Sequence, residues 1–355
     1  MLINLIVLPT VALLGFSLFN PSTWFKGTEN KPVVSPYIES YAEKKVEEKI
    51  TTTVPTSPKL KVSTTGKKTS LVPAKTSTSS VNETNLTKVV PKVIDTFSLA
   101  IIGTDQRFHD QKGFRTDVNL LLVMRPSVKK AVLVSAPRDL TINGRKINAI
   151  YPLQGLNAYK NVWAKISGVN VDRFVALGFD EFVWAVEQMN GLEVNVERNF
   201  IDSTYPGDRE NWGPIKLEFQ AGVQKMDGER ALKYARSRKG TNGEGSDFAR
   251  MKRQQNLILS MPEAFLNNRK VLIPFSAQAL IDLITGRLKF DFKLEDVQKL
   301  YDFLADYKSW KIEKLVLDGN YVYTANAKDF GGAYTLLPKD SSYSSVKNFI
   351  AEKLQ

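Results

Sequence analysis

Arginine and aspartate recur together at several points in this chain, and the pairing limits what chemistry it can do. Residues 234–255 read YARSRKGTNGEGSDFARMKRQQ, with Arg236 and Arg238 at alternate positions and Asp247, Arg250 and Gln254 spaced i, i+3, i+7. A guanidinium stays charged at any working pH and offers paired donors that match phosphate oxygens, so two of them side by side suit an anion of several charges. Upstream, Asp105 and Arg107 follow one apolar run, Arg115 and Asp117 precede another, and Arg138 and Asp139 follow a third. Asp105 and Asp117 are two carboxylates suited to share one hard cation, magnesium or manganese in its place, which keeps water or phosphate oxygens in its other positions. A single loop aspartate is better read as a cap or turn residue; the functional reading rests on the set.

The rest of the composition narrows the chemistry. The 355 residues carry a net charge of +12, which favours an anionic partner: nucleic acid, a phosphorylated ligand or an anionic membrane. There is no cysteine, so disulfides, zinc-thiolate sites and thiol nucleophiles are excluded, and the single histidine, His109, excludes a histidine-cluster metal site. Nucleic acid is disfavoured because aromatic residues are sparse in the arginine cluster, Phe248 alone falling between its arginines.

These residues need a frame. FSLAIIG, VNLLLVM, KKAVLVS and DRFVALGF read as buried strands, the last followed by a helix, DEFVWAVEQMN, with Asp180 as its cap and Gly191 at its end. LEVNV resumes the strand pattern, GERALKYA reads as a short helix, and FARMKRQQNLILSM as another, capped by Ser246 or Asp247. Beyond Pro262 come expected helices at Ala277–Thr285 and Leu294–Tyr307, the strand-like IEKLVLDG and a last helix ending NFIAEKL. The alternation predicts an α/β fold, a mixed β-sheet sandwiched between α-helices. Ligands of open α/β sheets gather beyond the carboxyl ends of the strands. Asp105, Arg107, Arg138 and Asp139 sit at such ends. Asp117 reaches the same edge only if its strand runs antiparallel, which is why the sheet must be mixed.

Three regions are expected along the chain. Residues 1–20, MLINLIVLPTVALLGFSLFN, carry no charge and read as a membrane anchor or signal segment. Residues 21–95 are rich in Thr, Ser, Lys and Pro and read as a flexible linker. Residues 96–355 are expected to form one folded domain, the one that carries the arginine and aspartate residues.

IIGTDQR, GFRTDVNLLLV, VSAPRDL, KINAIY, GERALKYARSR and SDFARMKRQQ, in this order, resemble the LytR-CpsA-Psr family of bacterial cell-envelope phosphotransferases. The resemblance implies a membrane-anchored enzyme with its catalytic domain on the extracytoplasmic side. It implies a polyprenyl-diphosphate-linked glycan as donor, with the lipid in an apolar channel, and peptidoglycan as acceptor. It makes Asp105 and Asp117 the magnesium ligands, and Arg138, Arg236, Arg238, Arg250 and Gln254 diphosphate-pocket residues, with Arg115 beside them. Asp139 and Asp247 are left as general base or as orienters of arginines. A polyprenyl-diphosphate hydrolase using the same site, and a non-catalytic binder of anionic wall polymer, are the alternatives. Asn119 departs from the small hydroxyl or apolar residue more usual at its position.

Overall fold

Strands without a polar face must be covered on both sides, and the first three are of that kind. They are β1 (Phe97–Thr104), β2 (Thr116–Arg125) and β3 (Lys130–Ser135). The computed structural model of the protein describes residues 95–106, 111, 113–207, 213–267 and 288–355. The apolar segment 1–20, the linker but for Asp95, Arg107, His109 and the helix expected at Ala277–Thr285 lie outside the described residues.

After β3 come α1 (Ile147–Ser167), β4 (Arg173–Leu177), α2 (Phe179–Gln188), β5 (Leu192–Val196), β6 (Phe200–Pro206), β7 (Pro214–Phe219) and β8 (Gly222–Met226). Then follow α3 (Gly228–Arg236), α4 (Asp247–Asn267), β9 (Lys289–Phe290), α5 (Leu294–Ala305), β10 (Lys311–Val316) and, at the carboxyl end, α6 (Ser344–Leu354). The main sheet has the order β9-β4-β1-β2-β3-β10. β2 runs antiparallel to both β1 and β3, while β1–β4 and β3–β10 are parallel. The mixed sheet expected from Asp117 is therefore present.

The period-two pattern divides the apolar side chains between two cores. Ile102, Leu121, Val123 and Val134 face Tyr159 and Trp163 of α1 and Val346 and Ile350 of α6. Leu99, Ile101, Leu120 and Leu122 face the opposite layer, with Ile258 and Leu259 of α4 and Phe303 of α5. Helices thus cover both faces. A third cluster joins α2, α3 and two small antiparallel ribbons, β5–β8 and β6–β7. LEVNV belongs to the first of these ribbons and not to the main sheet.

Two local readings change. Gly178, not Asp180, is the cap residue of α2; Asp180 lies in the first turn, where a carboxylate complements the helix dipole. Helix α1 escapes a pattern search because Pro152 lies inside it and Gly155, at φ 81°, kinks it. Gly191 does adopt the left-handed turn expected of it, at φ 85°.

Candidate functional site

The close approach of β1 and β2 begins the site. Gly103 faces Val118, and a Cβ added there would lie 2.6 Å from a Val118 methyl, so only glycine lets the strands meet here. The register shifts between Gly103 and Thr104, and past that shift the two carboxylates emerge. The Asp105 amide donates to the Arg115 carbonyl at 3.0 Å. In return its carboxylate accepts from the Arg115 amide at 2.6 Å and from Arg115 Nε at 3.2 Å.

Beneath Asp117, the buried Thr116 hydroxyl donates to Asn119 Oδ1 at 2.8 Å, and the Tyr159 hydroxyl donates to the same oxygen at 2.9 Å. Burial raises the Tyr159 pKa well above the usual tyrosine range, so it remains a donor. Asn119, unusual by resemblance, is therefore the acceptor that fixes the start of β2.

Arg138 follows β3 and donates from Nη1 to Asp117 Oδ1 at 3.0 Å. Asp139 stands behind it, 3.4 Å from Arg138 Nε and 2.8 Å from Lys146 Nζ. Burial lowers the Arg138 pKa, but the Asp117 ion pair, with Asp139 and Asp247, outweighs it, and the net shift is upward.

The arginine pair sits where α3 stops. Arg236 is its last residue, and Ser237, at φ −53° and ψ 137°, is extended, so Arg236 and Arg238 flank a break in the helix. The Arg236 guanidinium lies 4.1 Å from the Phe179 ring centre and donates to the Tyr205 hydroxyl at 2.9 Å. Arg238 Nε donates to Asp247 Oδ1 at 3.0 Å.

Helix α4 supplies the remainder. Ser246 Oγ accepts from the Ala249 amide at 3.0 Å, which makes it the cap. Arg250 is only 4% exposed, and its ion pair with Asp247 spans 3.7 Å. Burial lowers its pKa, Asp247 and Asp117 oppose that, and the charges of Arg238 and Arg138 add to it. Gln254 donates to the Ala235 carbonyl at 3.2 Å. Arg253 turns away from this group. It pairs with Glu244 at 2.6 Å and donates to the carbonyls of Tyr234 and Ser237, closing the end of α3.

One cavity of about 1260 Å³ collects these residues. It exceeds the roughly 300–1,000 Å³ of most small-molecule sites. Asp105, Arg115, Asp117, Arg138, Arg236, Arg238, Asp247, Arg250 and Gln254 all line it; Asp139 does not. Counting Lys239 and Asp202 as well, the lining has six cationic residues against four carboxylates, so it favours an anion. Leu120, Leu177, Phe182, Leu232, Leu257 and Ile258 continue the same lining as an apolar wall, which sequence motifs did not mark. Asp202 and Tyr205 were also missed, because the short ribbon strand carrying them has no recognisable pattern.

Among the described residues no three His, Asp or Glu side chains converge as a metal-binding group. Asp105 and Asp117 nevertheless fit a magnesium ion by donor chemistry. Both are hard oxygen donors on the rim of an anion cavity, and magnesium takes one or two carboxylates with phosphate and water oxygens.

A model of the LytR_cpsA_psr family matches residues 57–350. Among curated proteins, the chain is 27% identical over 234 residues to the polyisoprenyl-teichoic acid–peptidoglycan teichoic acid transferase TagT of Bacillus subtilis (strain 168), spanning 63% of this chain and 68% of that protein. The identically described TagV of the same organism is 22% identical over 283 residues, 77% of this chain and 68% of TagV. Among solved structures, TagT bound to LIIa-WTA superposes with a TM-score of 0.55 at 25% identity, covering 73% of this chain and 91% of that one. TagT with bound octaprenyl pyrophosphate lipid shares the fold at a TM-score of 0.52 and 24% identity, over 73% and 90% of the two chains.

Proposed function

Because the chain belongs to the LytR-CpsA-Psr family, with curated relatives that are teichoic acid transferases, we propose that it transfers a glycopolymer from a polyprenyl-diphosphate carrier to a peptidoglycan hydroxyl. The observation that carries this reading is the continuity of the cavity: its guanidinium-rich end adjoins the apolar wall of Leu120, Leu177 and Phe182. A ligand with a multiply charged head and a long hydrocarbon tail matches both parts. A bare nucleotide or sugar phosphate would leave the apolar wall wet.

The acceptor oxygen attacks the phosphorus on the glycan side of the diphosphate. The new P–O bond forms as the bond to the bridging oxygen breaks, and polyprenyl phosphate leaves. Arg138, Arg236, Arg238 and Arg250 bind the diphosphate and stabilise the charge that grows on its bridging and equatorial oxygens. Asp247, on the cavity between Arg238 and Arg250, aligns those guanidiniums and takes the acceptor proton. Asp139 holds Arg138 from behind. Asp105 and Asp117 would hold magnesium, which when bound supplies further positive charge to the phosphate oxygens. No covalent enzyme intermediate is needed. The segment 1–20 would anchor the domain on the extracytoplasmic side of the membrane, where carrier and acceptor meet.

The test is to supply a prenyl-diphosphate-linked glycan with or without a peptidoglycan fragment. Release of polyprenyl monophosphate that depends on the fragment supports transfer. Release at the same rate without it supports the hydrolase, and no release with intact binding supports the wall-polymer binder.

A further inference from the structure

The notable feature of the arginine pair is what lies under it. Asp202, on β6, is 1% exposed. Its Oδ2 accepts from the Ser237 hydroxyl at 2.7 Å, the Arg238 amide at 3.3 Å and the Lys239 amide at 3.2 Å. Its Oδ1 accepts from the amide and hydroxyl of Thr204 at 3.0 and 3.2 Å. Five donors therefore saturate the carboxylate. Although it borders the cavity, it has no capacity left for a metal or a substrate hydroxyl.

Three of those donors belong to the segment where α3 stops. The carbonyls of Tyr234 and Ala235 in the last turn of α3 accept from Arg253 and Gln254; Asp202, an acceptor only, serves the N–H and O–H donors that follow the helix. Two consecutive amides turned toward one anionic oxygen define a backbone nest. Without that anion, the amides of Arg238 and Lys239 lose the Asp202 acceptor, and Ser237 loses what holds it extended. Asp202 and Tyr205 lie three positions apart on β6, across a register shift, and Tyr205 meets the Arg236 guanidinium. One strand thus controls both arginines, the first through its side chain and the second through its backbone.

We propose that Asp202 is a positioning residue for the diphosphate arginines, setting the Ser237–Lys239 turn that places Arg236 and Arg238 on one cavity. This rests on the diphosphate reading of that cavity. Asp202 does not touch substrate; it acts through Arg238 above all.

The experiment is a double-mutant cycle on the whole chain, read by calorimetric binding of geranyl diphosphate, by the kcat and KM of transfer, and by thermal unfolding. Asp202→Asn keeps the shape but turns a neutral amide toward the two backbone amides. It is expected to weaken geranyl diphosphate binding on the order of tenfold, the scale of one charge-assisted hydrogen bond. Added to Arg238→Ala, it is expected to cost nothing further, because the group it positions is gone. Ser237→Ala removes a single donor and carries the same cycle if Asp202→Asn does not fold. Wild-type affinity in folded Asp202→Asn or Ser237→Ala, or losses that multiply with Arg238→Ala, overturns this inference alone. Unchanged binding and turnover in Arg238→Ala overturns the diphosphate reading and the inference together.

Discussion

Arg138 donates to the Asp117 carboxylate at 3.0 Å, so a proposed diphosphate ligand and a proposed metal ligand are held by each other. Changing Asp117 then disturbs two functions at once. Asp117→Asn is expected to abolish turnover, and Asp105→Asn to abolish it while leaving Arg138 paired. Wild-type transfer is expected to stop in EDTA and return with magnesium. Full wild-type activity in EDTA would remove the metal from the mechanism.

The arginine pair makes a second prediction. Lysine keeps the charge but loses both the two-pronged donor set and the flat face that Arg236 lays against Phe179. Arg236→Lys and Arg238→Lys are each expected to be nearly as damaging as the alanine changes, at about 2–4 kcal/mol of transition-state stabilisation. Steady-state kinetics on all four variants checks this. Near-wild-type kcat/KM in the lysine variants would make the pair a solvated basic surface.

Arg250 contrasts with them because it is buried without full compensation. Its Nε is a buried donor with no partner, and its ion pair with Asp247 is long. A buried charge held this loosely costs stability when no ligand is bound. Arg250→Met is therefore expected to leave the unfolding free energy unchanged or raised by about 1–2 kcal/mol while eliminating turnover. Denaturant titration beside the transfer assay measures both. A marked loss of stability would mean that Arg250 serves the fold.

How much of this was legible beforehand depended on the kind of signal. Asp105, Asp117 and Arg138 were readable because each abuts an unbroken apolar run, and strand ends of an α/β sheet form a known kind of crevice. The antiparallel β2 followed from Asp117 itself. Arg253 looked the same in sequence as Arg250, three positions earlier, yet it closes α3 while Arg250 faces the cavity; helical spacing does not say which neighbour occupies each face. Asp202 and Tyr205 were invisible because FIDSTYP is a short ribbon strand whose partner choice depends on tertiary packing. Helix α1 was hidden by Pro152 and Gly155, which break the periodicity that would have announced it.

The buried tyrosines predict how stability responds to alkali. Burial, with the Asp340 charge, pushes Tyr343 up to about 12, and its hydroxyl is buried without a partner. The unfolded chain loses this proton near the ordinary value of about 10. From there to about 12 the folded state binds more protons than the unfolded state, so stability falls as pH rises. The contribution is complete below pH ~10. Tyr343→Phe removes both the orphan hydroxyl and this titration. It is expected to be at least as stable as wild type near neutrality, and to lose less stability between pH 8 and pH 11. Thermal unfolding across that range checks it; an equal alkaline loss in both proteins would contradict the assignment.

In the proposed reaction a sugar hydroxyl, and not water, takes the phosphoryl-linked glycan. The most direct measurement is to run the reaction in heavy-oxygen water with a prenyl-diphosphate-linked glycan and a peptidoglycan fragment, then to analyse the phosphorus product by NMR and mass spectrometry. The expected product is a phosphodiester joining the glycan to the fragment, with no heavy oxygen on phosphorus, and polyprenyl monophosphate released in equal amount. A glycan ending in a phosphomonoester that carries heavy oxygen would contradict it.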